Sequence, residues 1–458
     1  MKLRILPWAA SLVFATRCLH AEPLPSPVAE VTKEATPAPF APPAAATVEA
    51  KPSDPPKPTD LPPPKPLGDP AKKGLAWLAG KQNPDGGWGQ GGGWRISVGN
   101  RDGNGRVEGD NVADPSDVGN TAIALQAFLR SGTKLDTGEY SGHARKAAAF
   151  ILARIEEADA DSLYVTKVRD TQLQSKIGVY VDTFLAAQIL SDLKGRFPNS
   201  SDEERRARML DKVVAKIQKH QQADGGFANN RGWASTLSQG MCSGALNSAW
   251  AAGAKVDLAA LEKDHVQNAE GLDRTSGKVA ATATADAGVE IYRYASKLNG
   301  MTRFSMNNVS RRGELEKTVA SPEASDQQKN EAKEELSKLD RSDADQQVLL
   351  KQVAGRAQEA GFVSGFGNNG GEEFISYMNI GEALRTKGGE EWTKWDESMT
   401  KTINGAQNED GSWSGQHCIT GRTFCTASAL MVLMTDRAPA PVVPPIAKNA
   451  DEKKTTTP

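Results

Sequence analysis

The 458-residue sequence predicts an all-α protein in which six inner and six outer helices close into an (α/α)6 toroid over about residues 69–436. Three observations lead to this fold class. A motif in which a glycine turn separates a glutamine from an aromatic residue occurs three times. Two kinds of helical pattern alternate, one rich in small apolar residues and one amphipathic and charged. The flanking segments are rich in proline or polar residues.

The recurring motif reads QNPDGGW at 82–88, QQADGGF at 221–227 and QNEDGSW at 407–413. Its Asp-Gly pair is typical of a tight turn, because aspartate bonds to its own backbone and glycine accepts a positive φ. A helical pattern precedes each copy, which predicts a unit of helix, glycine turn, aromatic clamp and second helix. The clamp residues are Gln82, Gly86, Trp88, Gln221, Gly225, Phe227, Gln407, Gly411 and Trp413.

The predicted inner helices are rich in Ala, Leu and small residues, and most end in Gly, as buried helices with a glycine C-cap do. They span 120–132, 179–195, 236–253, 282–300, 372–388 and 423–434. The amphipathic outer helices span about 71–82, 142–156, 203–221, 256–268, 344–360 and 391–406. Helix pairs that each leave an apolar face uncovered stack side by side, and six pairs can close into a ring.

The first copy of the motif carries a family resemblance. The segment KGLAWL at 73–78, followed by Gln82 and GGW at 86–88, resembles the QW repeat of squalene–hopene cyclases, oxidosqualene cyclases and protein prenyltransferase β subunits. The second copy departs from it by having Phe227 in place of Trp. The resemblance spans about residues 69–436 and implies a toroid in which each Gln caps a neighbouring helix.

The resemblance to the cyclases does not extend to their chemistry. Those enzymes protonate an alkene with the central Asp of an Asp-x-Asp-Asp motif, and aromatic rings stabilise the carbocation. The sequence has no such motif, since DADS at 159–162 and DADQ at 343–346 both lack the last Asp. Aromatic residues make up only 6% of the chain. We therefore do not expect a triterpene cyclase.

The resemblance to the prenyltransferases implies a zinc site. Those enzymes hold Zn²⁺ with Asp, Cys and His, and the pair His417–Cys418 precedes the sixth inner helix. Asp286, Glu372 and Glu373 are predicted to reach the same rim. The family's Asp-x-Cys pair is absent. A disulfide between Cys418 and Cys425, or two buried thiols, is the alternative explanation.

Two other kinds of site are also consistent with the sequence. The Gly-Gly-Trp turns resemble those of some helical-toroid polysaccharide lyases, which need a base and cations for a uronate; the candidates are Arg422, Lys176, Arg169 and Asp182. Helix capping is the alternative role for these residues.

The loop 101–111 resembles a calcium-binding turn with Asp102, Asn104, Glu108 and Asp110 as oxygen ligands. It departs from EF-hand spacing, because Ala113 stands where the bidentate Glu belongs.

The ends of the chain predict export. Residues 1–21 combine a basic start, a short apolar core and a small residue at Ala21, the pattern of a secretory signal peptide. A lipoprotein anchored at Cys18 is the alternative, although Arg17 fits its cleavage site poorly. Residues 22–68 predict a disordered Pro/Ala-rich linker and 437–458 a disordered tail, with no transmembrane span in the mature protein. Residues 301–345 predict a charged helical insertion.

The sequence leaves two classes of function open. Net charge is −2 and no basic stripe carries aromatics, so we do not expect nucleic acid as a partner. The first class is a ligand-binding or scaffold protein of the cell envelope, whose partner is a small molecule, lipid, glycan or envelope protein. The second class is an enzyme that acts on a terpenoid, prenyl or polysaccharide substrate in the central cavity. Zinc or calcium is the implied cofactor.

Overall fold

The computed structural model describes residues 63–92, 94–95, 105–106, 113–281 and 285–438. Its α-helices within those ranges are α1 (Asp69–Gly80), α2 (Val118–Arg130), α3 (Ser141–Glu157), α4 (Gln172–Lys176), α5 (Val181–Asp192), α6 (Ser200–His220), α7 (Ser235–Ala251), α8 (Leu258–Ala269), α9 (Glu290–Ala320), α10 (Asp326–Arg356), α11 (Ala360–Val363), α12 (Gly371–Lys387), α13 (Gly389–Gly405) and α14 (Arg422–Leu433). Two short antiparallel strands, β1 (Trp94–Arg95) and β2 (Gly105–Arg106), and a 3-10 turn, Thr435–Arg437, complete the described elements.

Six of these helices form a closed inner ring. Helices α2, α5, α7, α9, α12 and α14 each pack against the next, and α14 packs back against α2. The outer layer consists of α1, α3, α6, α8, α10 and α13, each packed against its inner neighbours. The prediction of an (α/α)6 toroid is confirmed.

The inner helices are buried because their sequences place small residues on every face. In α2 every residue from Val118 to Leu129 is buried. A side chain added at Gly240 would lie 2.4 Å from the hydroxyl of Ser296, so this glycine lets α7 and α9 approach closely. The outer helices are amphipathic and bury one stripe, as in α6 with Leu210, Val213 and Ile217.

The three clamps join successive outer helices. The Gln82 Nε2 donates to Gly86 O at 2.8 Å and to His143 O, at the start of α3, at 3.0 Å. The Gln221 Nε2 donates to Ala260 O, at the start of α8, at 3.1 Å. The Gln407 Nε2 donates to Gly411 O at 2.8 Å and to Pro70 O, at the start of α1, at 2.9 Å. Each Gln thus adds a hydrogen bond to a backbone carbonyl in the first turn of the next outer helix.

The rings and glycines of the clamps complete this arrangement. The indole nitrogens of Trp88 and Trp413 donate to Leu78 O at 2.8 Å and Ile403 O at 2.7 Å. Phe227 has no such donor and instead packs on Phe184, with ring centroids 5.1 Å apart. Gly411 has φ of 90°, and Gly86 and Gly225 are similar, so the turn requires glycine.

The fourth inner helix differs most from its prediction. It begins at Glu290, because Ala287 and Gly288 have φ of 55° and 74° and form a turn. The prediction ended this helix at Gly300, whereas in the structure it continues to Ala320. A side chain there would lie 2.5 Å from the hydroxyl of Ser243, so this glycine serves close helix packing instead.

The charged segment 301–345 forms the distal part of α9, a short turn and most of α10. The two long helices pack antiparallel and are joined by ion pairs, including Arg312 with Asp343 at 2.8 Å. A capping box at Ser325 and Gln328 starts α10.

Several predictions lie outside the described residues. These are the signal peptide 1–21, residues 22–62 of the linker, the tail from 439, and the calcium ligands Asp102, Asn104, Glu108 and Asp110. None of the helices in the described part of the chain combines the length and apolarity needed to cross a membrane.

Candidate functional site

The starts of the inner helices, together with the loops before them, form one rim of the ring, because every inner helix runs in the same direction. Two carboxylates mark this rim on the first half of the ring. Asp117 caps α2 by accepting the Asn120 N–H at 2.7 Å, and Asp182 of α5 accepts the Gly119 N–H at 2.8 Å. Burial, with the charge of Asp182 nearby, raises the pKa of Asp117 to about 8. Both acids therefore serve as caps within the rim, and neither is exposed.

On the opposite half of the rim lies what we call the acid–histidine cluster, which consists of Glu372, Glu373 and His417. Their ligand atoms all lie within 4.8 Å of one another. Both glutamates are fully buried at the start of α12, and the histidine comes from the loop before α14. The His417 Nε2 lies 3.3 Å from Glu373 Oε2. The sequence placed these three residues on a common rim, and the structure brings them together.

Some atoms of the cluster are already bonded. The Phe366 N–H donates to Glu373 Oε1 at 3.1 Å, and the Tyr292 hydroxyl donates to the same oxygen. The Ile419 N–H donates to Glu372 Oε2 at 3.3 Å. The His417 Nε2 lies 2.8 Å from Asn368 O, a distance that suits donation from Nε2–H to this carbonyl.

The remaining atoms of the cluster lack partners. Glu372 Oε1, Glu373 Oε2 and His417 Nδ1 are buried and find no hydrogen-bond partner among the described residues. Buried polar atoms without partners are rare, because each costs about 1–3 kcal/mol. A neutral histidine whose Nε2–H is held by a carbonyl presents the lone pair of Nδ1 to a metal, whereas an imidazolium carries a proton there. The cluster therefore fits a small cation once His417 has lost that proton.

The pKa values in the cluster are shifted by burial and charge. Burial, together with the neighbouring Glu373, raises the pKa of Glu372 to about 7. The same two causes raise the pKa of the Tyr292 hydroxyl. The Cys418 side chain and the Glu373 carboxylate raise the pKa of His417 to about 11, because both favour the charged imidazolium.

Cys418 and Cys425 do not form the disulfide that was one of the alternatives the sequence left open. Cys242, Cys418 and Cys425 are all free in the described part of the chain. Cys418 follows His417 in a left-handed backbone conformation with φ of 47°. Cys425 is buried in α14, where its thiol donates to Ile419 O. Of the three, Cys418 lies nearest the cluster and adjoins its histidine.

Two other predicted site residues lie apart from the cluster. Asp286 is in the turn before α9 rather than in the helix, and its Oδ2 accepts from Arg293 at 3.0 Å. Arg422 pairs with Asp410 and lies over the Trp77 ring, 5.0 Å from its centroid. Each residue forms its ion pair with a neighbour in its own repeat.

The rim also carries an open cavity of about 600 Å³, which we call the rim groove. It is lined by Tyr164, Arg169, Asp170, Gln174, Ser175, Lys176, Val179, Arg231, Gly232 and Trp233. Its two walls are tied together, because the Ala234 N–H donates to Lys176 O at 2.7 Å and the Trp233 N–H to Ser175 O at 3.3 Å. The groove brings together Arg169 and Lys176, two cations that the sequence had suggested for a uronate site.

Aromatic rings connect the groove to the cluster. Trp233 and Phe366 are 48% and 50% exposed, and their rings meet edge to face with centroids 6.5 Å apart. Phe366 also contacts the His417 ring at 5.1 Å. Exposed large apolar side chains side by side mark binding surfaces. The groove, the aromatic pair and the acid–histidine cluster thus form one continuous stretch of the rim.

The centre of the ring is nearly filled. All six inner helices line a central cavity of only about 50 Å³. Glu382 closes it by pairing with Arg130 at 2.5 Å and with Arg303 at 2.9 Å. Asp192 adds a second set of bonds, accepting from Gln126 and Gln188 at 2.9 Å each. This volume suits a few waters, whereas pockets for organic ligands measure about 300–1,000 Å³.

The sequence reasoning missed Tyr292, Trp233, Phe366, Tyr164 and Arg231. Trp233 and Phe366 lie in short loops just before predicted inner helices, in segments rich in Gly and Asn. An isolated tryptophan in such a segment is a signal of a binding surface that the sequence offered. Tyr292 is inside a helix, where nothing distinguishes it from a core residue.

Comparison with known proteins gives a likeness of fold. No family model and no curated protein sequence matches the chain. Among solved structures, it is similar to the GH76A α-1,6-mannanase of Salegentibacter sp. HEL1_6, with a TM-score of 0.45 and 9% identity over 80% of this chain and 98% of that chain. An inactive variant of the same mannanase in complex with α-1,6-mannotriose gives a TM-score of 0.46 and 9% identity over 81% and 98%.

Proposed function

We propose that this chain is an exported protein that binds a glycan along its rim, with the rim groove and the Trp233–Phe366 pair as the binding surface. The observation that supports this proposal is the half-exposed aromatic pair at the end of an open polar groove. A sugar ring has apolar C–H faces and hydroxyl edges. It can therefore stack on an indole or phenyl ring while its edges bond to polar neighbours.

The groove supplies those polar neighbours on a rigid frame. Ser175 and Lys176 line it beside the aromatic ring of Tyr164, and the close backbone contacts between its walls fix their separation. Gly232 approaches so closely that a side chain there would lie 2.6 Å from the backbone of Ile177. Rigid walls favour binding, because little side-chain or loop entropy is lost when the ligand enters.

The rim is the better location for a ligand than the central cavity. A cavity of about 50 Å³ cannot enclose a terpenoid or a sugar. We therefore place the ligand on the rim, whether it is a bound glycan or the polysaccharide substrate of an enzyme, the alternative that the sequence left open. The groove, at about 600 Å³, has the size of a ligand pocket.

Two parts of the proposal rest on sequence. Residues 1–21 act as a signal peptide, and residues 22–68 act as a Pro/Ala-rich linker that precedes the toroid of 69–436. The clamps resemble the QW repeats of the cyclases and prenyltransferases, and in this chain they join successive outer helices. N-terminal sequencing of the protein secreted by an expression host checks the first part, and we expect it to begin at Glu22.

The glycan proposal is tested by binding. Purified protein is titrated by isothermal calorimetry with laminarin and dextran as neutral glycans, and with polygalacturonate and alginate as acidic ones. We expect at least one to bind, and Trp233→Ala to weaken it about tenfold, because about 1–2 kcal/mol of stacking is lost. The control is Val266→Ala, which removes another exposed apolar side chain, 65% exposed on α8. Equal binding by both variants, or none by the wild type, would refute the proposal.

A second candidate function is metal binding at the acid–histidine cluster. It is favoured by the three buried atoms that lack partners, Glu372 Oε1, Glu373 Oε2 and His417 Nδ1. Zinc takes carboxylate oxygen and imidazole nitrogen in a tetrahedral set, and these three residues would supply three of the four ligands. Cys418, the other zinc ligand that the sequence suggested, is not among the residues whose ligand atoms lie within 4.8 Å of one another. The bound ion would supply a positive charge and an electrophile at the rim, next to the aromatic pair.

Metal binding is measured by elemental analysis after incubation with ZnCl₂ and removal of free ion. We expect about one zinc per chain in the wild type and a loss in His417→Ala and Glu373→Gln. His220→Ala is the control, because this histidine is held by Lys216 O on α6, away from the cluster. If the cluster is instead an ion pair between His417 and Glu373, all four proteins will bind equally little zinc.

A further inference from the structure

We infer that the rim groove takes the carboxylated part of a glycan, that is, a uronate segment; this inference rests on the proposed glycan-binding function. The starting point is the charge of the groove. It is lined by three cationic side chains, Arg169, Lys176 and Arg231, and by one acid, Asp170. The chain as a whole has a net charge of −2, so this positive lining is local and contrasts with the rest of the protein.

Two of these cations are available to a ligand. Neither the Lys176 ammonium nor the Arg231 guanidinium makes an ion pair or hydrogen bond with the part of the chain that the structure describes. Lys176 ends the short helix α4, and Arg231 lies in the loop before α7. Both line the same groove, where like charges repel, and a bound anion relieves that repulsion.

The third cation is held in place. The Arg169 guanidinium lies over the ring of Tyr164, 3.7 Å from its centroid, and donates to Val168 O at 3.0 Å. Tyr164 in turn packs against Tyr180, with ring centroids 5.0 Å apart. A guanidinium stacked in this way keeps donors in a fixed plane. Such a plane matches the two oxygens of a carboxylate.

The arrangement therefore combines two kinds of contact at one end of the rim. The cations of the groove hold the carboxylate, while the exposed ring of Trp233, which also lines the groove, faces the apolar side of a sugar. A neutral glycan would leave the cations of the groove without an anion. A nucleic acid needs a longer basic path than three side chains in a cavity of about 600 Å³ provide.

Calorimetry with short ligands tests this assignment. The probes are trigalacturonate, a neutral trisaccharide (maltotriose), and a tri-thymidylate as a polyanion whose charge comes from phosphate rather than from carboxylate. We expect trigalacturonate to bind at least about tenfold tighter than the other two, and its affinity to fall as salt is raised. The double variant Lys176→Gln/Arg231→Gln should lose about tenfold or more toward trigalacturonate and nothing toward maltotriose.

The control variant is Lys134→Gln, which removes an exposed lysine just after the end of α2, away from the rim. It should bind trigalacturonate like the wild type. Equal affinity for trigalacturonate and maltotriose would overturn the uronate assignment and leave glycan binding intact. Failure to bind either sugar would overturn both, and tighter binding of tri-thymidylate would overturn the assignment in favour of a nucleic acid. Circular dichroism of each variant verifies folding.

Discussion

Gln407 and Pro70 are 337 residues apart, yet the side-chain amide of the first donates to the carbonyl of the second at 2.9 Å. This bond joins the last repeat to the first. The equivalent bonds of Gln82 and Gln221 join helices that are neighbours in sequence. The clamp at Gln407 therefore holds the ring closed, whereas the other two hold repeats that the chain already connects.

The first prediction concerns this closure. Gln407→Ala removes the donor to Pro70 O and Gly411 O, and we expect the free energy of unfolding to fall by about 2 kcal/mol. The measurement is the midpoint of urea unfolding, monitored by far-UV circular dichroism. Gln222→Ala is the control, because that glutamine is exposed in a clamp turn and should change the midpoint little. A similar midpoint for the two variants would mean that the bond does not hold the seam.

The second prediction concerns the turn of the same clamp. Gly411 has φ of 90°, and an added side chain would lie 2.9 Å from Lys73 O. Gly411→Ala should therefore destabilise the protein by about 1–3 kcal/mol. Gly405→Ala, at the end of α13 with open space around it, should be neutral or slightly stabilising. Thermal melts measure the stability of both variants. A smaller loss of stability in Gly411→Ala than in Gly405→Ala would contradict the prediction.

The third prediction concerns the closed centre of the ring. Glu382 lies between Arg130 and Arg303, whose charges lower its pKa despite burial that would raise it. Glu382→Ala leaves two arginines without their shared partner, and we expect a loss of about 3–5 kcal/mol. Glu390→Ala, an exposed acid of α13 paired with Lys394, should cost less than about 1 kcal/mol. Chemical denaturation measures both, and equal losses would count against the central network.

The fourth prediction concerns pH. Burial raises the pKa of Asp264 from 3.8 to about 7, against hydrogen bonds from Ser243 and Gln239 that lower it. Between about pH 4 and 7, the Asp264 carboxyl of the folded chain therefore keeps a proton that the unfolded chain has already released. Stability contributed by this group is present below pH 4 and is lost as pH rises through 7.

The test compares the slope of stability against pH in the wild type and in Asp264→Asn. We expect the variant to have a shallower fall between pH 4.5 and 7, by up to about 1.4 kcal/mol per pH unit. Asp202→Asn, at the exposed start of α6, should leave the slope unchanged. An Asp264→Asn variant with the slope of the wild type would show that Asp264 is ionised in the folded protein.

Much of the fold could be predicted from the sequence, because clamps and helix types are local patterns. The inner helix at 236–253 lies within two residues of α7, and the outer helix at 203–221 within three of α6. The fourth inner helix could not be predicted, because Gly300 looks like a C-cap in sequence but serves close packing against Ser243. Only the neighbouring helix distinguishes these two roles.

Part of the candidate site could also be predicted, because the order of the helices determines which residues lie on one rim. Acids at the starts of inner helices must meet at one rim, so Glu372 and Glu373 could be placed near His417 from topology alone. The rim groove could not be predicted, because Tyr164, Lys176 and Arg231 come from three separate segments whose proximity depends on loop conformations. Loop geometry depends on contacts such as Trp233 N–H to Ser175 O, which no periodicity encodes.

The seam between the last and first repeats also determines how the ring carries mechanical load. The Lys65 N–H donates to Asp436 at 2.7 Å, and Arg437 donates back to Lys65 O, so the two ends of the described ring leave from adjacent points. Tension applied between these ends loads α1, α14 and the few bonds between them first. A pulling force would therefore separate the last repeat from the first before any other pair. The five remaining interfaces between inner helices would bear tension only after this seam has opened.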